Sequence, residues 1–597
     1  MHSFFAELKK RGVLKLATAY LVVSWLVLEV GHTLFLIFEL PHLGMQIVFV
    51  LLALGFPIAA GTAWHYRFAA TDHPEEHAHD SHGGSQLAIV FGVVAVFVIG
   101  TVIVMRFLGY ERHGSGHGEP VADTADAHAP VPLPAEQFAP PQHSVAVMPF
   151  VNMSGDAKDE YFSDGLSEEL LNSLARISEL QVAARTSSFS FRGTATDIPA
   201  IGRKLNVAAV LEGSVRKAGN HVRITAQLIN AVNGYRLWTA TFDRELKDIF
   251  ALQTEIATAV TDALEVQLLP AAKAKVALGG TQNPDAYDAY LRGMNQLSNR
   301  TDETGIRSAA AALDEALRLD PGFALAYAAR SRARTLLANT WANEVTIAEK
   351  LYADARADAD RAIQLAPLLG AAYEARATVI SGSSLNFAAA EADARRAIEL
   401  EPGSLGALRT FSRIAASQGR MAEALDAAAR AVQLDPVSHR TWRLQAIQLY
   451  SARRHDDART SYKRALALRP GDLQTQGWMA LNELATGHWK EAVAWCEPDS
   501  SWNGRQCLAI AYHKLGRRDE AEQLLRGLRK EFGDALAYQY AQLYAQWGER
   551  QQALEWLATA VRVKDPGLTE LRTDPLLDPI RNTPQFKDAE VRLAAME

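Results

Sequence analysis

NFAAAEADARRAIELEPGSLGALRTFSRIAASQGRMAEALDAAARAVQLDPVSHRTW, residues 386–442, contains one segment twice. Ala390, Ala397 and Pro402 stand in the frame A-x6-A-x4-P, and Ala424, Ala431 and Pro436 repeat it. The frame recurs outward at Ala309, Ala316 and Pro321, at Ala355, Ala362 and Pro367, and at Ala458, Ala465 and Pro470. From Pro321 to Pro470 the proline numbers rise in steps of 46, 35, 34 and 34, so an insertion falls near positions 338–350. The physics is direct. Small alanines let a second helix press closely on a first. Proline ends that helix, because it lacks an N–H and clashes with the turn before it. Tyr327, Tyr373 and Trp442 stand where a large side chain fills the gap between helices.

A 34-residue period with this pattern is the signature of tetratricopeptide (TPR) repeats. Later repeats are degenerate but legible: Gly487, Gly516 and Gly548 each stand five residues before Ala492, Ala521 and Ala553. The tail DPLLDPIRNTPQF resembles the closing segment of such arrays. From residue 283 to about 566 there is room for roughly eight repeats. Stacked helix pairs form a superhelix with a long concave face, which suits protein or peptide partners. Trp341, Trp478, Trp489, Trp502, Trp547 and Trp556 read as core residues before they read as a ligand box.

Bulk composition narrows the function. The 597 residues are too many for one core, and the net charge of -7 excludes general nucleic-acid binding by the whole chain. Two cysteines, Cys496 and Cys507, allow neither a disulfide framework nor a cysteine-based zinc module. They fall on consecutive expected helices and could pair with each other in an oxidising compartment.

Residues 143–270 carry a different pattern. SVAVMPF reads as a first strand, LQVAARTS as a second, VAAVLEGSV as a third and GNHVRITAQLI as a fourth. Asn233-Gly234 reads as a tight hairpin turn before the last strand, YRLWTATF. Helices are expected over DEYFSDGLSEELLNSLARI, DIPAIGRKLN and DIFALQTEIATAVTDAL. In the first of these, Ser167 is the expected cap, with Glu168 and Glu169 in the first turn. The sum is a mixed sheet with helices packed on it. Phosphate loop, nucleophile elbow and HExxH are all missing. Asp164 and Arg185 invite a catalytic reading, but neither has a nameable partner, and capping or surface pairing fits them better. No cofactor is expected.

Residues 1–110 read as a membrane anchor. Apolar runs at about 16–38, 45–64 and 87–109 each have the roughly 20 residues that span a bilayer as a helix. Lys9, Lys10, Arg11 and Lys15 precede the first run, placing the N-terminus in the cytoplasm. Three crossings then put the body in the periplasm of a bacterial inner membrane, although Arg106 and Arg112 lie on the wrong side for this topology. Glu29 and His32 share one face within the first run, either as a functional pair or as residues that pair with a neighbouring helix or lie near the outer interface. His73, His77, His79 and His82 lie between the second and third runs, and His113, His117 and His128 after the third. They read as weak metal-ligand candidates or as solvated linker. Residues 111–142, rich in Pro, His and Ala, read as an extended linker.

AVMPFVNMSGDAKDEYFSDGLSEELLNSLARI, ARTSSFSFRG, LEGSVRKAGNHVRITAQLINAVNGYRLWTATFDREL and DIFALQTEIA together resemble the TolB N-terminal-like domain of bacterial membrane-anchored TPR proteins. The resemblance covers about residues 143–268. FFAELKKRGVLKLATAYLVVSWL is similar to the membrane segment often found ahead of that domain. It implies a multidomain chain: three transmembrane α-helices, a mixed α/β domain and an all-α TPR superhelix over 271–597. Relatives of this kind can carry an adenylyl cyclase or a winged-helix domain on the cytoplasmic side. Only a short tail, ending near Lys15, precedes the first run here, so neither activity is expected. The expectation is a non-enzymatic scaffold, or alternatively an envelope sensor relaying to a separate cytoplasmic effector.

Overall fold

The computed structural model describes residues 138–194, 196–266, 278–299, 302–341, 345–384 and 386–596. The chain divides into compact units at 1–130 and 131–597, and only the second is described here. The three apolar runs, Glu29, His32, both histidine clusters and most of the linker lie outside the described residues. Among the described residues no helix is long and apolar enough to cross a membrane.

The sheet is mixed. Its strands are β1 (Ser144–Val147), β2 (Val151–Asn152), β3 (Gln181–Val182), β4 (Ala209–Ala218), β5 (His221–Asn230) and β6 (Arg236–Glu245). The order is β3-β1-β4-β5-β6, with β2 also on β4. β1 runs parallel to β3 and β4, and β4-β5-β6 is an antiparallel meander. Alternation sorts the side chains. Val145, Val147 and Leu211 join Val222, Ile224 and Leu228 under helices α1 (Glu160–Ala175) and α4 (Ile249–Ala263). Ala146, Met148 and Val210 face the other way, onto Ile201 and Leu205 of α3 (Ile198–Leu205).

Three local expectations need correction. Ser167 is not a cap. A 3-10 turn, Ala157–Asp159, capped by Asp156, starts the helix about two turns earlier. Ser167 instead ties helix to strand: its Oγ donates to Ser163 O at 2.7 Å and accepts from Phe150 N at 2.9 Å. Glu168 and Glu169 are therefore mid-helix and buried. The second expected strand, β3, is only two residues long. Ala184 N donates to Leu434 O at 2.7 Å in the repeat array, and the chain then turns into α2 (Arg185–Phe189). The β5–β6 connection runs from Ala231 to Tyr235 and is no two-residue turn. Asn230 Oδ1 accepts from Val232 N at 2.9 Å and Asn233 N at 3.2 Å, and Gly234 alone takes a positive φ there, +76°.

Sixteen helices follow in eight antiparallel pairs among the described residues, and a seventeenth, α21 (Pro584–Met596), packs on the last pair. The first helices are α5 (Pro284–Asn299), α7 (Ala324–Trp341), α9 (Gly370–Ser383), α11 (Leu405–Ser417), α13 (His439–Ser451), α15 (Leu473–Ala485), α17 (Trp502–Lys514) and α19 (Ala537–Trp547). Their seconds are α6 (Glu303–Leu319), α8 (Val345–Leu365), α10 (Phe387–Leu400), α12 (Met421–Leu434), α14 (His455–Leu468), α16 (Trp489–Cys496), α18 (Arg518–Phe532) and α20 (Arg550–Val563). The body is thus a TPR-like helical array with a small sheet domain. All ten frame alanines are fully buried, where a larger side chain would hold the paired helices apart. The insertion lengthens one pair, α7 to 18 residues and α8 to 21. The large first-helix residues are only half-buried, and two of them have a second task. Trp442 Nε1 donates to Pro436 O at 2.7 Å, Tyr373 OH to Pro367 O at 3.2 Å, and Gln476 Nε2 to Pro470 O at 2.9 Å. Each donor stands six residues after its proline and pins the turn between repeats. Cys496 on α16 and Cys507 on α17 form a disulfide with Cα atoms 6.2 Å apart.

Candidate interaction face

The direction of curvature follows from the packing. First helices of successive repeats pack on one another along the whole array, whereas second helices of successive repeats do not pack substantially. The array therefore curves with its first helices inside, which makes them the lining of the concave face.

Two parts of the same chain occupy that face at its ends. At the N-terminal end, α1 packs on α5. Tyr161 OH donates to Asp288 Oδ1 at 2.6 Å, Lys217 Nζ pairs with Asp288 at 2.8 Å, and Tyr290 OH donates to Glu169 Oε1 at 2.9 Å. A single apolar cluster joins the sheet to the first repeats, taking in residues from Val145 to Ala375. The proline loops hold the sheet domain as well: Ser187 Oγ donates to Asp435 Oδ1 at 2.7 Å, and Arg176 lies 3.6 Å from Glu401.

At the C-terminal end the closing segment, residues 565–582, folds back onto α11, α15 and α19. Leu568, Leu571, Leu576, Leu577 and Ile580 are fully buried there. Buried Asp574 accepts from Tyr538 OH at 2.9 Å and Gln542 Nε2 at 2.7 Å. Arg572 Nη1 donates to Ser417 O at 3.1 Å, and Arg453 holds Asp578 at 2.5 Å.

Between these two fillings lies an open, basic stretch. Arg409 and Arg413 are one turn apart on α11, and Arg440 and Arg443 are on α13. Arg443 pairs with Asp472 at 2.6 Å. Among the described residues the guanidiniums of Arg409, Arg413 and Arg440 make no ion pair or hydrogen bond. Desolvation inside the curve holds Arg409 and Arg413 below their ordinary value, opposed by Asp435 at Arg409 and by Glu570 at Arg413, and at Arg409 the charges of Arg440 and Arg413 add to the lowering. Arg413 and Arg440 nonetheless keep side chains open to solvent. The sequence reading passed over these arginines, although Arg409 and Arg443 stand one repeat period apart and so mark the same inward position.

The two residues weighed for catalysis meet in a second place. Asp164 and Arg185 line a cleft of about 440 Å³ with Glu160, Tyr161, Phe189, Arg192, Asn295 and Asn299. Their charges are already matched. Arg192 pairs with Asp164 and, at 2.5 Å, with Glu160; Arg185 Nε lies 2.8 Å from Glu168 Oε2 and its guanidinium sits over the Phe189 ring. Burial raises the Asp164 carboxyl, opposed by Arg192. The arrangement braces α1 against α2 and offers no nucleophile beside a base. Among the described residues no group of histidines, cysteines and carboxylates could hold a metal ion.

Residues 141–259 match the family described as HilA/YgeH-like transcriptional regulator, second domain. A putative adenylate cyclase 3 of Rhizobium meliloti (strain 1021) is 40% identical over 216 residues, which cover 36% of this chain and 36% of that protein. The match thus spans about a third of the relative's length. Similar solved structures include pilF of Pseudomonas aeruginosa, at 15% identity and TM-score 0.29, covering 37% of this chain and 96% of that one. YrrB, a TPR protein with an unusual peptide-binding site, gives 20% identity and TM-score 0.23 over 32% and 88% of the two chains. TTC0263, a TPR protein of Thermus thermophilus, gives 16% and 0.28 over 33% and 99%.

Proposed function

We propose that this chain is a non-enzymatic, signal-related scaffold of the bacterial inner membrane, with the sheet domain and repeat array in the periplasm. The observation that carries the binding role is the open run of Arg409, Arg413 and Arg440, left between two stretches of concave face that the chain fills itself. Guanidiniums that line a curve with no direct ion pair or hydrogen bond of their own are poised for carboxylates of a protein or peptide partner. The Cys496–Cys507 disulfide supports a periplasmic body, because such bonds persist in oxidising compartments. The motifs in 143–268 support a TolB N-terminal-like reading of the sheet domain, which adds protein contacts.

The names of the matched proteins, a transcriptional regulator and a putative cyclase, favour a second reading: an envelope sensor that relays to a separate cytoplasmic effector. In-cell photo-crosslinking tests the scaffold role from Thr378, whose hydroxyl lies 3.5 Å from that of Thr410, next to Arg409. A partner adduct that disappears in the Arg409→Glu/Arg413→Glu variant supports it. An adduct pattern unchanged by those substitutions overturns the basic stretch as the binding site. Alkaline phosphatase fused after residues 142 and 597 tests the compartment; inactive fusions at both overturn the periplasmic body.

A further inference from the structure

The sheet has two edges of very different character. β3 ends one edge with two residues. β6 ends the other with ten, and pairs with β5 alone among the described residues. Its outward backbone groups make no hydrogen bond there, apart from Asp243 O, which accepts from Arg244 Nη1 at 3.1 Å. A long free edge is a template for another strand, and proteins usually blunt one with lysine, proline, an inward charge or a bulge. The stretch Trp238-Thr239-Ala240-Thr241-Phe242 carries none of these. The register shift opposite Leu228/Ile229 lies at the hairpin end and leaves the strand regular beyond it.

The strand is also complementary to itself. Two antiparallel copies related by a two-fold axis normal to the sheet must oppose residues on the same face. Centred on Ala240, Trp238 faces Phe242 of the second copy, and Thr239 faces its Thr241; each match occurs twice. Aromatic and threonine pairs are the favourable cross-strand combinations. Trp238, Ala240 and Phe242 lie on the face covered by α4, so pairing extends one apolar layer across both molecules. Arg236 would oppose Arg244 of the second copy at the exposed ends, where Glu255 already holds Arg244 at 3.3 Å. A register centred on Thr241 would set Trp238 against Arg244 and Thr239 against Asp243, losing both matches.

We propose that β6 pairs antiparallel with β6 of a second copy of this chain, centred on Ala240, and so makes a two-fold dimer with one continuous sheet. The test uses the full chain in detergent. Directly opposed residues bring Cα atoms to about 4.5–5.5 Å, within disulfide reach, and the two native cysteines are already paired. Ala240→Cys should therefore give a covalent dimer on mild oxidation, while Thr225→Cys, one strand inward, forms no covalent link. By light scattering the wild type should have twice the chain mass. Thr241→Lys should halve it, and Thr225→Lys, with the same charge change on β5, should not. A monomeric wild type, cross-linking no faster at 240 than at 225, or a dimer that survives Thr241→Lys overturns the proposal.

Discussion

Arg453 occupies a backbone position that glycine holds elsewhere in the array. Gly419, Gly487, Gly516 and Gly548 end their first helices with φ between +76° and +86°; Arg453 does so with φ +61°. The turns share one hydrogen-bond pattern. Arg453 N reaches Tyr450 O and Arg454 N reaches Leu449 O, both at 2.9 Å, as Gly419 N and Arg420 N reach Ala416 O and Ala415 O at 2.8 Å. A non-glycine residue there is strained by about 1 kcal/mol. The side chain explains its presence. Arg453 donates to Ser451 O at 2.6 Å, to Thr573 O at 2.8 Å and to both carboxylate oxygens of Asp578. The ion pair is more than a third exposed on each side, so it contributes at most about 1 kcal/mol. The two carbonyl bonds contribute roughly 1 kcal/mol each. Arg453→Gly relieves the strain and loses the contacts, a net loss of about 1–2 kcal/mol. Arg453→Ala keeps the strain and loses about 2–3 kcal/mol. Native-state hydrogen exchange should show the loss concentrated at residues 565–582, ordered wild type, glycine, alanine. Unchanged protection of that segment in both variants would refute the idea that Arg453 anchors it.

Three further expectations follow from the same packing. Ser187→Ala removes the hydroxyl that donates to Asp435 and accepts from Val437 N at 3.2 Å. It leaves a buried carboxylate short of a partner, and urea unfolding should show a loss of about 1–3 kcal/mol. Burial and neighbouring Asp574 raise Glu570 to about 8, against an ordinary 4.5. The folded state then keeps a proton that the unfolded chain releases, so stability falls as pH rises from about 4.5 to 8. Glu570→Gln should flatten that slope in denaturation at pH 5, 6.5 and 8; parallel slopes would rule the group out. Reducing Cys496–Cys507, which closes a loop with sequence separation 11, should cost about 2–3 kcal/mol locally, read as faster exchange across α16 and α17.

The repeat array was legible in the sequence because its determinants are local and periodic. Alanine at two positions and proline at a third set how closely two adjacent helices approach and where the second one stops, and those effects recur with every repeat. The β5 alternation of Val222, Ile224, Ala226 and Leu228 was legible for the same reason. The start of α1 and the length of β3 were not. Ser167 has the chemistry of a cap, and only its bond to Phe150 N on a distant strand end reveals that it braces helix to strand instead. β3 makes its last bond to β1 from Ala183 N and the chain turns straight into α2, with Ala184 N held by Leu434 O, far along the chain in the repeat array. The basic stretch needed both scales. Periodicity places Arg409 and Arg443 at one inward position, but only the fold shows that Arg443 has Asp472 while Arg409, Arg413 and Arg440 have no direct ion pair or hydrogen bond. Sequence by itself determined the elements that depend on neighbours within one repeat. Which part of the concave face is filled, and which edge of the sheet is left free, depended on contacts between segments far apart in the chain, and those only the tertiary structure decided.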